Sequence, residues 1–325
     1  MRRFLTSCAI LVLVFGVMMQ GQMSAAAADF PTKPVTIVCP YAAGGSSDMM
    51  TRVLASVAPK YLGQSVVVLN RPGANGAIGA AEVARAHPDG YTVLQIAAGA
   101  FTTVPLTRPV QYSIDDFRGV IGTSYEPIIL TVNAKSPWRT TQDLIDDAKE
   151  TGKVIKYGIS GTGGSTHAAP AALFDAAGVK AEAVPFEGGG PAITALVGGH
   201  VDAATSHPTE CMPQVEAGNL RALGIFSQER FAETPDVPTF KEQGFDLPEF
   251  SVWKTLLVPA KTPDDAVEKL HAAFKQSFED PEYVEAMARM KLTIQYLAPN
   301  EIIPRLKKEY GMYKAIMEKL GLVKQ

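Results

Sequence analysis

The chain alternates short apolar runs with glycine-rich turns and amphipathic stretches. The run at 35–39 is almost uninterrupted by polar residues, as expected of a strand buried on both faces. The pattern then predicts an amphipathic helix over about 49–61, a strand at 66–69 and a second helix over about 77–85. A third strand follows at 91–96. This part of the chain therefore predicts a β-α-β-α-β unit.

The same pattern returns in the second half of the chain. Strands are predicted at 154–158, 181–185 and 201–205, and the helices between them at 167–177 and 191–197. Strands that alternate with helices of this length predict parallel sheets with right-handed crossovers. The predicted fold class is therefore α/β with two similar units, in which ligands bind outside the carboxyl ends of the strands.

The predicted strand-to-helix connections are rich in glycine. The four loops lie at 41–48, 70–76, 159–166 and 186–190. Glycine lets backbone N–H groups approach a ligand, and the first turn of a helix leaves amides unpaired at the positive end of its dipole. Such turns attract small anions, although a single one could simply allow a tight turn. Four matched loops in two repeated units favour a cleft for an anion or a polar ligand.

Nucleotide and catalytic signatures are not met. The loop 158–166 lacks the Gly-Lys-Ser/Thr ending of a P-loop, and the turn at 73–79 has no acidic partner at the end of the next strand. A nucleophile elbow fails because Thr162 stands where its second glycine is required. The five histidines show no i, i+4 pairing on a predicted helix. We therefore predict no catalytic residue, no metal site and no cofactor.

Two residues beside these loops have alternative roles. Asp48 lies in the first turn of a predicted helix, where a carboxylate satisfies amides and favours the dipole, and we prefer this role to direct ligand contact. His167 lies at the start of another predicted helix. It either donates to a bound anion or serves as a capping or packing residue, and the sequence leaves both roles open.

The first 28 residues have the layout of a secretory signal peptide. Arg2 and Arg3 precede the apolar stretch 4–19, and the alanines at 25–28 offer a cleavage site near Ala28. The apolar stretch is short for a membrane anchor, and Cys8 has almost no apolar segment before it, which disfavours lipid attachment there. We therefore predict an exported, unanchored protein, which fits a periplasm.

Charge and cysteine content narrow the picture further. The chain has 30 Lys plus Arg against 33 Asp plus Glu, which gives a net charge of −3. Cleavage after residue 28 would remove two positive charges and make the mature chain more acidic. Because basic residues do not outnumber acidic ones, we do not expect the protein to bind nucleic acid. Cys39 ends a predicted buried strand and is expected to pack as a small hydrophobe, although a bridge to Cys211 stays open.

An ordered series of motifs then resembles a known family. The sequence is similar to the periplasmic receptors of the tripartite tricarboxylate transporter family, the Bug-type or TctC-like solute-binding proteins, over practically the whole mature chain. The motifs that carry the resemblance include Pro40–Asp48, Asn70–Ala74, Pro88–Thr92, Tyr157–His167, Gly188–Pro191, Gly198–Asp202, Ala217–Leu223, Thr234–Thr239 and Pro259–Pro263.

The resemblance implies a two-lobed Venus-flytrap binding protein, type II-like, with a mainly parallel sheet flanked by helices in each lobe. It implies lobe limits of 29–128 with 250–325 for the first lobe and 129–249 for the second, with crossings near Ile128 and Phe250. It also implies a small carboxylate ligand, a permease of one large and one small membrane subunit as partner, and a monomer. An exported α/β enzyme that acts on a small anion through Ser160 or His167 is the alternative.

In the family the ligand carboxylate is held largely by backbone amides and ordered waters at the first loop of each lobe. His207 departs from the family pattern, because apolar residues are expected there. It could contact a polar group or a second carboxylate at the far end of the ligand. The ligand residues that follow from the resemblance and the loops are Tyr41, Ala42, Ala43, Gly44, Gly45, Asp48, Ala98, Ser160, Gly161, Thr162, Gly163, Gly164, Ser165, Thr166, His167, Gly188, Gly189, Gly190, Asp202 and His207.

Overall fold

A computed structural model describes residues 30–186, 188–290, 292–319 and 321–323. The predicted signal peptide at 1–28, with its cleavage site and Cys8, lies outside these residues. The described residues form two sheets of five strands each, with helices on both faces. The strands are β1 (Val35–Cys39), β2 (Val66–Asn70), β3 (Thr92–Ala97), β4 (Phe117–Pro127), β5 (Ile129–Asn133), β6 (Ile155–Ile159), β7 (Ala181–Pro185), β8 (Ala203–Ser206), β9 (Leu220–Ile225) and β10 (Ser251–Pro259).

The helices occupy the connections that the sequence predicts, and further helices complete each lobe. They are α1 (Ser46–Val57), α2 (Pro59–Leu62), α3 (Ala77–Ala84), α4 (Gly99–Thr102), α5 (Val104–Thr107), α6 (Thr141–Thr151), α7 (Ser165–Ala177), α8 (Gly189–Val197), α9 (Pro208–Glu216), α10 (Asp264–Glu279), α11 (Pro281–Arg289) and α12 (Pro299–Lys319). Single 3₁₀ turns lie at Ala74–Gly76 and Ile114–Asp116.

The first sheet has the strand order β2-β1-β3-β10-β4. Strand β1 pairs in parallel with β2 and β3, whereas β10 is antiparallel to both β3 and β4. Successive residues of β1 face opposite sides, because Ile37 packs with α1, α10 and α11 while Val38 packs with α3 and the start of α12. Burial on both faces explains why this strand reads as a continuous apolar run.

The second sheet repeats the arrangement with the order β7-β6-β8-β5-β9. Strand β6 is parallel to β7 and β8, and β5 is antiparallel to β8 and β9. Leu144 of α6 and Phe174 of α7 pack on one face, and Ile193 of α8 packs on the other with Cys211 of α9. Both sheets are thus mixed: the duplicated units supply the parallel strands, and the strands next to the crossings are antiparallel.

The chain passes between the two sheets at one compact junction. Ile128 separates β4 from β5, and its N–H donates to the Phe250 carbonyl at 3.2 Å. Phe226 closes the junction, because its N–H donates to the Ile128 carbonyl and its carbonyl accepts from the Phe250 N–H, each at 2.9 Å. Three segments distant in sequence therefore meet in hydrogen-bonded backbone where both crossings occur. The predicted lobe limits near Ile128 and Phe250 stay a prediction.

Helix α12 extends along both lobes. Ile302 and Leu306 pack in the core of the first sheet, whereas Tyr313 and Met317 pack in the core of the second. Lys319 then pairs with Asp175 of α7 at 2.5 Å. The family resemblance assigns this segment to the first lobe, and the structure shows that its last turns contact the second lobe as well.

Candidate functional site

The first loop connects β1 to α1 and is open to solvent. Ala42 to Gly45 are exposed, and Gly44 has a φ of +83°, a conformation that favours glycine. Gly45 is the N-cap of α1 in an extended conformation and supplies no side-chain cap. The amides of the first turn of α1 are therefore directed to the outside of the sheet edge where β1 ends.

Asp48 holds this loop in place from its buried side. Its buried carboxylate accepts from the Gly44 N–H at 2.9 Å, from Arg52 Nε at 3.0 Å and from Asn70 Nδ2 at 2.8 Å. Burial opposes its ionisation, but these hydrogen bonds outweigh burial and hold the pKa of Asp48 below its ordinary value. The carboxylate thus positions the Gly44 amide, which agrees with the structural role preferred from the sequence.

Tyr41 and Ala98 lie at the adjoining end of β3. The Tyr41 hydroxyl accepts from the Ala97 N–H at 3.1 Å, and burial raises the pKa of this phenol. The Ala98 N–H donates to the Trp253 carbonyl at 2.9 Å, and its methyl group is buried. Both residues join the first loop to the centre of the sheet, and the Ala98 amide already has a protein acceptor.

The second loop, Ser160 to Gly164, connects β6 to α7 in the other lobe and matches the first. Gly164 is an extended N-cap without a side-chain cap, and Gly161 has a φ of +149°. The Ser160 and Thr166 hydroxyls lie 2.7 Å apart, and Thr166 Oγ1 also accepts from the Ser160 N–H at 3.3 Å. Thr162 is exposed. The loop is therefore braced at Thr166 and presents its tip to solvent.

His167 supports this loop from inside the second lobe. Its Nδ1 accepts from the Gly163 N–H at 3.1 Å, and its side chain is only 6% exposed. Burial lowers the pKa of His167, so the neutral ring carries its proton on Nε2. Its ring lines a cavity of about 310 Å³ with Tyr157 and Phe174. In this structure His167 positions Gly163, and its predicted contact with a bound anion stays a prediction.

The third predicted loop, Gly188 to Gly190, faces a carboxylate of the protein itself. Gly189 begins α8, and a Cβ added at this position would overlap the Glu210 carboxylate. Glu210 lies in the first turn of α9 and also accepts from the His207 N–H at 3.2 Å. Glu187 lies outside the described residues. The start of α8 is thus next to an internal acid, and ligand contacts by Gly188 to Gly190 stay a prediction.

Asp202 and His207 lie at opposite ends of β8. Asp202 precedes the strand, accepts from the Lys156 N–H at 2.9 Å and pairs with Lys153 at 2.6 Å. This is the sheet edge opposite to Ser160, because β6 and β8 are parallel. His207 follows the strand as the N-cap of α9, and its Nδ1 has no hydrogen-bond partner among the described residues. The structure therefore brings His207, but not Asp202, to the edge that carries the loops.

A buried ion pair that the sequence analysis missed joins these features. Lys254 of β10 and Glu126 of β4 lie 3.1 Å apart, and both side chains are about 95% buried. Lys254 Nζ also lies 3.3 Å from Ser46 Oγ at the start of α1, and Glu126 Oε1 accepts from the Thr209 hydroxyl of the second lobe at 3.2 Å. Although burial opposes ionisation, the adjacent charge of Lys254 holds the pKa of Glu126 below its ordinary value.

This pair had a detectable signal in the sequence. Lys254 is the only charged residue in 251–259, and Glu126 is one of two in 117–127, where Arg118 lies at the other end of the strand. A charge in a buried strand requires a partner. The separation of 128 positions, however, prevents the sequence from showing which partner it has.

The described residues hold no group of three His, Cys, Asp or Glu side chains arranged to bind a metal ion. Cys39 and Cys211 are both buried as free thiols rather than bridged. Among the helices of residues 30–319 that the structure describes, none combines the length and apolarity that a membrane span needs.

Comparison with known proteins decides the family. The model of the tripartite tricarboxylate transporter family receptor, TctC, matches residues 50–322. The chain belongs to this receptor family. It is 34% identical to a UPF0065 protein of Cupriavidus necator, with 99% of this chain and 98% of that protein covered. The resemblance seen in the motifs is thereby confirmed.

Solved structures of receptors agree with this assignment. A TctC solute-binding protein from Polaromonas superposes with a TM-score of 0.80 at 32% identity, covering 89% of this chain and 99% of that one. Rpa4515 of R. palustris, solved with adipate, superposes with a TM-score of 0.78 at 28% identity, covering 91% and 99%. The two-lobed α/β fold and the class of solute-binding receptor are therefore confirmed.

Proposed function

We propose that this receptor binds a carboxylate group of a small organic acid between the starts of α1 and α7. One observation carries the proposal: in each lobe a parallel strand ends in a glycine loop with an exposed tip, and the following helix begins at a glycine N-cap without a side-chain cap. Such helix starts combine unpaired N–H groups with the positive end of the helix dipole. Together they form a site for an anion that requires no charged side chain from either loop.

The proposed ligand groups are the backbone of Tyr41 to Gly45 with the N–H of Ser46 in one lobe, and the backbone of Ser160 to Thr166 in the other. Asp48 and His167 act from beneath as positioning residues, because each accepts a loop N–H, that of Gly44 or Gly163. Gly188 to Gly190 complete the rim in this proposal. Adipate in the R. palustris relative supports a carboxylate as the class of ligand.

Closure would bring the two loops together by rotation of the lobes. The lobes are proposed as 29–128 with 250–325 and as 129–249, and the junction at Ile128 and Phe250 supports these limits because both crossings meet there. The ligand would bind in the open form and be enclosed in the closed form. The closed receptor would then be recognised by a permease with one large and one small membrane subunit.

The proposal places the mature protein in the periplasm as a monomer that binds without chemical change. The layout of residues 1–28 supports export, and the family supports transport. The contacts of Ser160 and His167 also favour binding over catalysis. The Ser160 hydroxyl pairs with Thr166, whereas His167 Nδ1 receives the Gly163 N–H, so the two side chains are engaged separately.

A thermal-shift screen of the purified mature protein against mono-, di- and tricarboxylates tests the function. A true ligand at about 100 times its Kd stabilises the folded protein by roughly 2.7 kcal/mol, which gives a clear rise in Tm. The ligand should be recovered unchanged after long incubation. Absence of a shift with every carboxylate, or conversion of a ligand by catalytic amounts of protein, would refute the proposal.

A further inference from the structure

Helix α12 has a glycine at the point where it passes from one lobe to the other. Gly311 lies near the middle of this 21-residue helix, between Leu306 in the core of the first sheet and Tyr313 in the core of the second. It is exposed, and a Cβ added to it would meet no atom within 4 Å apart from its chain neighbours and its own helix backbone. Packing therefore does not require glycine here. Because a glycine inside a helix is less stable than an alanine, what it adds at this position is backbone freedom.

The part of α12 before Gly311 is fixed to the first lobe. Glu309 accepts a hydrogen bond from Trp253 Nε1 of β10 at 2.8 Å. Pro304, which also interrupts the hydrogen bonds of a helix, lies two residues after the buried Ile302 and so within the part that packs on the first sheet. The first half of the helix therefore belongs with the first lobe, and its proline does not lie at the passage between the lobes.

The part of α12 after Gly311 is fixed to the second lobe and reaches its glycine loop. Met317 packs in the core of the second sheet, and its Cε lies 3.6 Å from the position that a Cβ on Gly163 would take. Lys319 pairs with Asp175 of α7. The last turns therefore belong with α7 and the second loop, so a rotation of the lobes has to deform α12 near its middle.

We propose, resting on the closure described above, that Gly311 is a third hinge point of the receptor, at which α12 bends when the lobes close. The other two are the proposed crossings at Ile128 and Phe250, and the Tyr313 ring lies beside them, 5.8 Å from the Phe250 ring. The tips of both glycine loops are exposed, which assigns this structure to the open orientation, with α12 helical through Gly311. Glycine lowers the cost of leaving the helical conformation at this one point and thereby favours closure.

Single-molecule fluorescence of the free mature protein tests this assignment without a ligand. Dyes on Ser56→Cys of α1 and Ala176→Cys of α7 report the separation of the lobes, because both sites are exposed whereas Cys39 and Cys211 are buried. Gly311→Ala should lower the closed-to-open ratio about fourfold, since alanine favours the helical conformation by about that factor. Calorimetry with adipate, malate and citrate should show the same factor as a rise in the Kd of each acid that binds.

A displaced glycine is the matched control. The double variant Gly311→Ala with Ala315→Gly keeps one glycine inside the helix but moves it by four residues, into the part that packs on the second lobe, at an exposed position. Gly311→Ala alone should raise Tm by about 2 °C, and the double variant should return Tm to the natural value. Closure and Kd should nevertheless stay as in Gly311→Ala, because the bend is needed at residue 311.

The outcomes separate the hinge from the proposed function. Equal closed-to-open ratios in the natural protein and Gly311→Ala, or recovery of closure in the double variant, would overturn the hinge while the receptor function stands. A natural protein that does not close, either free or with any of the three acids, would also overturn the hinge. If the free protein closed as expected but neither these acids nor any other carboxylate bound, the proposed function would fail and the hinge would stand.

Discussion

Replacing Ser46 with proline tests whether the start of α1 binds the ligand. Ser46 is the first residue of α1, where proline fits because its fixed φ suits the first turn, and Gly45 before it is extended, as proline requires. The substitution therefore removes one N–H group and leaves the helix intact. Proline already occupies the corresponding place in α9 and α11.

The expected loss follows from the energy of a hydrogen bond to a charged group, about 1.5–3 kcal/mol. Because 1.4 kcal/mol is tenfold in affinity, Ser46→Pro should raise the Kd of the best carboxylate by about ten- to a hundredfold. Ser46→Ala is the matched control, since it removes the hydroxyl next to Lys254 and keeps the N–H. Calorimetry measures both Kd values, and thermal unfolding checks that both variants fold. Equal affinity of the proline and alanine variants would refute the assignment of this amide.

Three further predictions concern Glu126 and Glu210. Glu126→Ala should lower the free energy of unfolding in urea by about 3–5 kcal/mol, because it leaves the Lys254 ammonium buried and unpaired; a loss below about 1 kcal/mol would contradict this. The pKa of Glu126 is lowered from 4.5, so its contribution is complete above that pH and is lost as the pH falls through the folded-state value. When the pH is lowered below about 4.5, the free energy of unfolding in urea should therefore fall more for the natural protein than for the double variant Glu126→Gln with Lys254→Met. Equal losses in the two proteins would rule this out. Gly189→Ala should lower Tm because the new methyl group overlaps the Glu210 carboxylate, and adding Glu210→Ala should restore most of the loss; no rescue would show that the clash is not the cause.

Much of the fold could be predicted from the sequence, because the apolar runs encode strands that are buried on both faces. Val35–Cys39 and Ala181–Pro185 have the predicted bounds, and α3 and α8 differ from prediction by one or two residues. The start of α7 was misplaced by two residues. A glycine N-cap has no side chain that marks a helix start in the sequence. The first turn of α7 is therefore predicted as part of the loop.

The candidate site could be predicted only where local sequence determines it. The two glycine loops follow from glycine at strand ends, and the structure adds which residues support them from beneath. The contacts that are distant in sequence escaped prediction: Lys254 with Glu126, and Glu210 against Gly189. Asp202 was included from its motif, but its position before β8 places it at the opposite sheet edge from the loops.

The central claim is that one helix start in each lobe binds the same carboxylate and leaves it unchanged. Amide chemical shifts of ¹⁵N-labelled mature protein, followed during titration with the best carboxylate, measure this directly. We expect the Ser46 and Ser165 amides to shift together with one Kd, and the acid to be recovered intact. Saturable binding that leaves either amide unmoved, or an acid that is consumed, would contradict this claim.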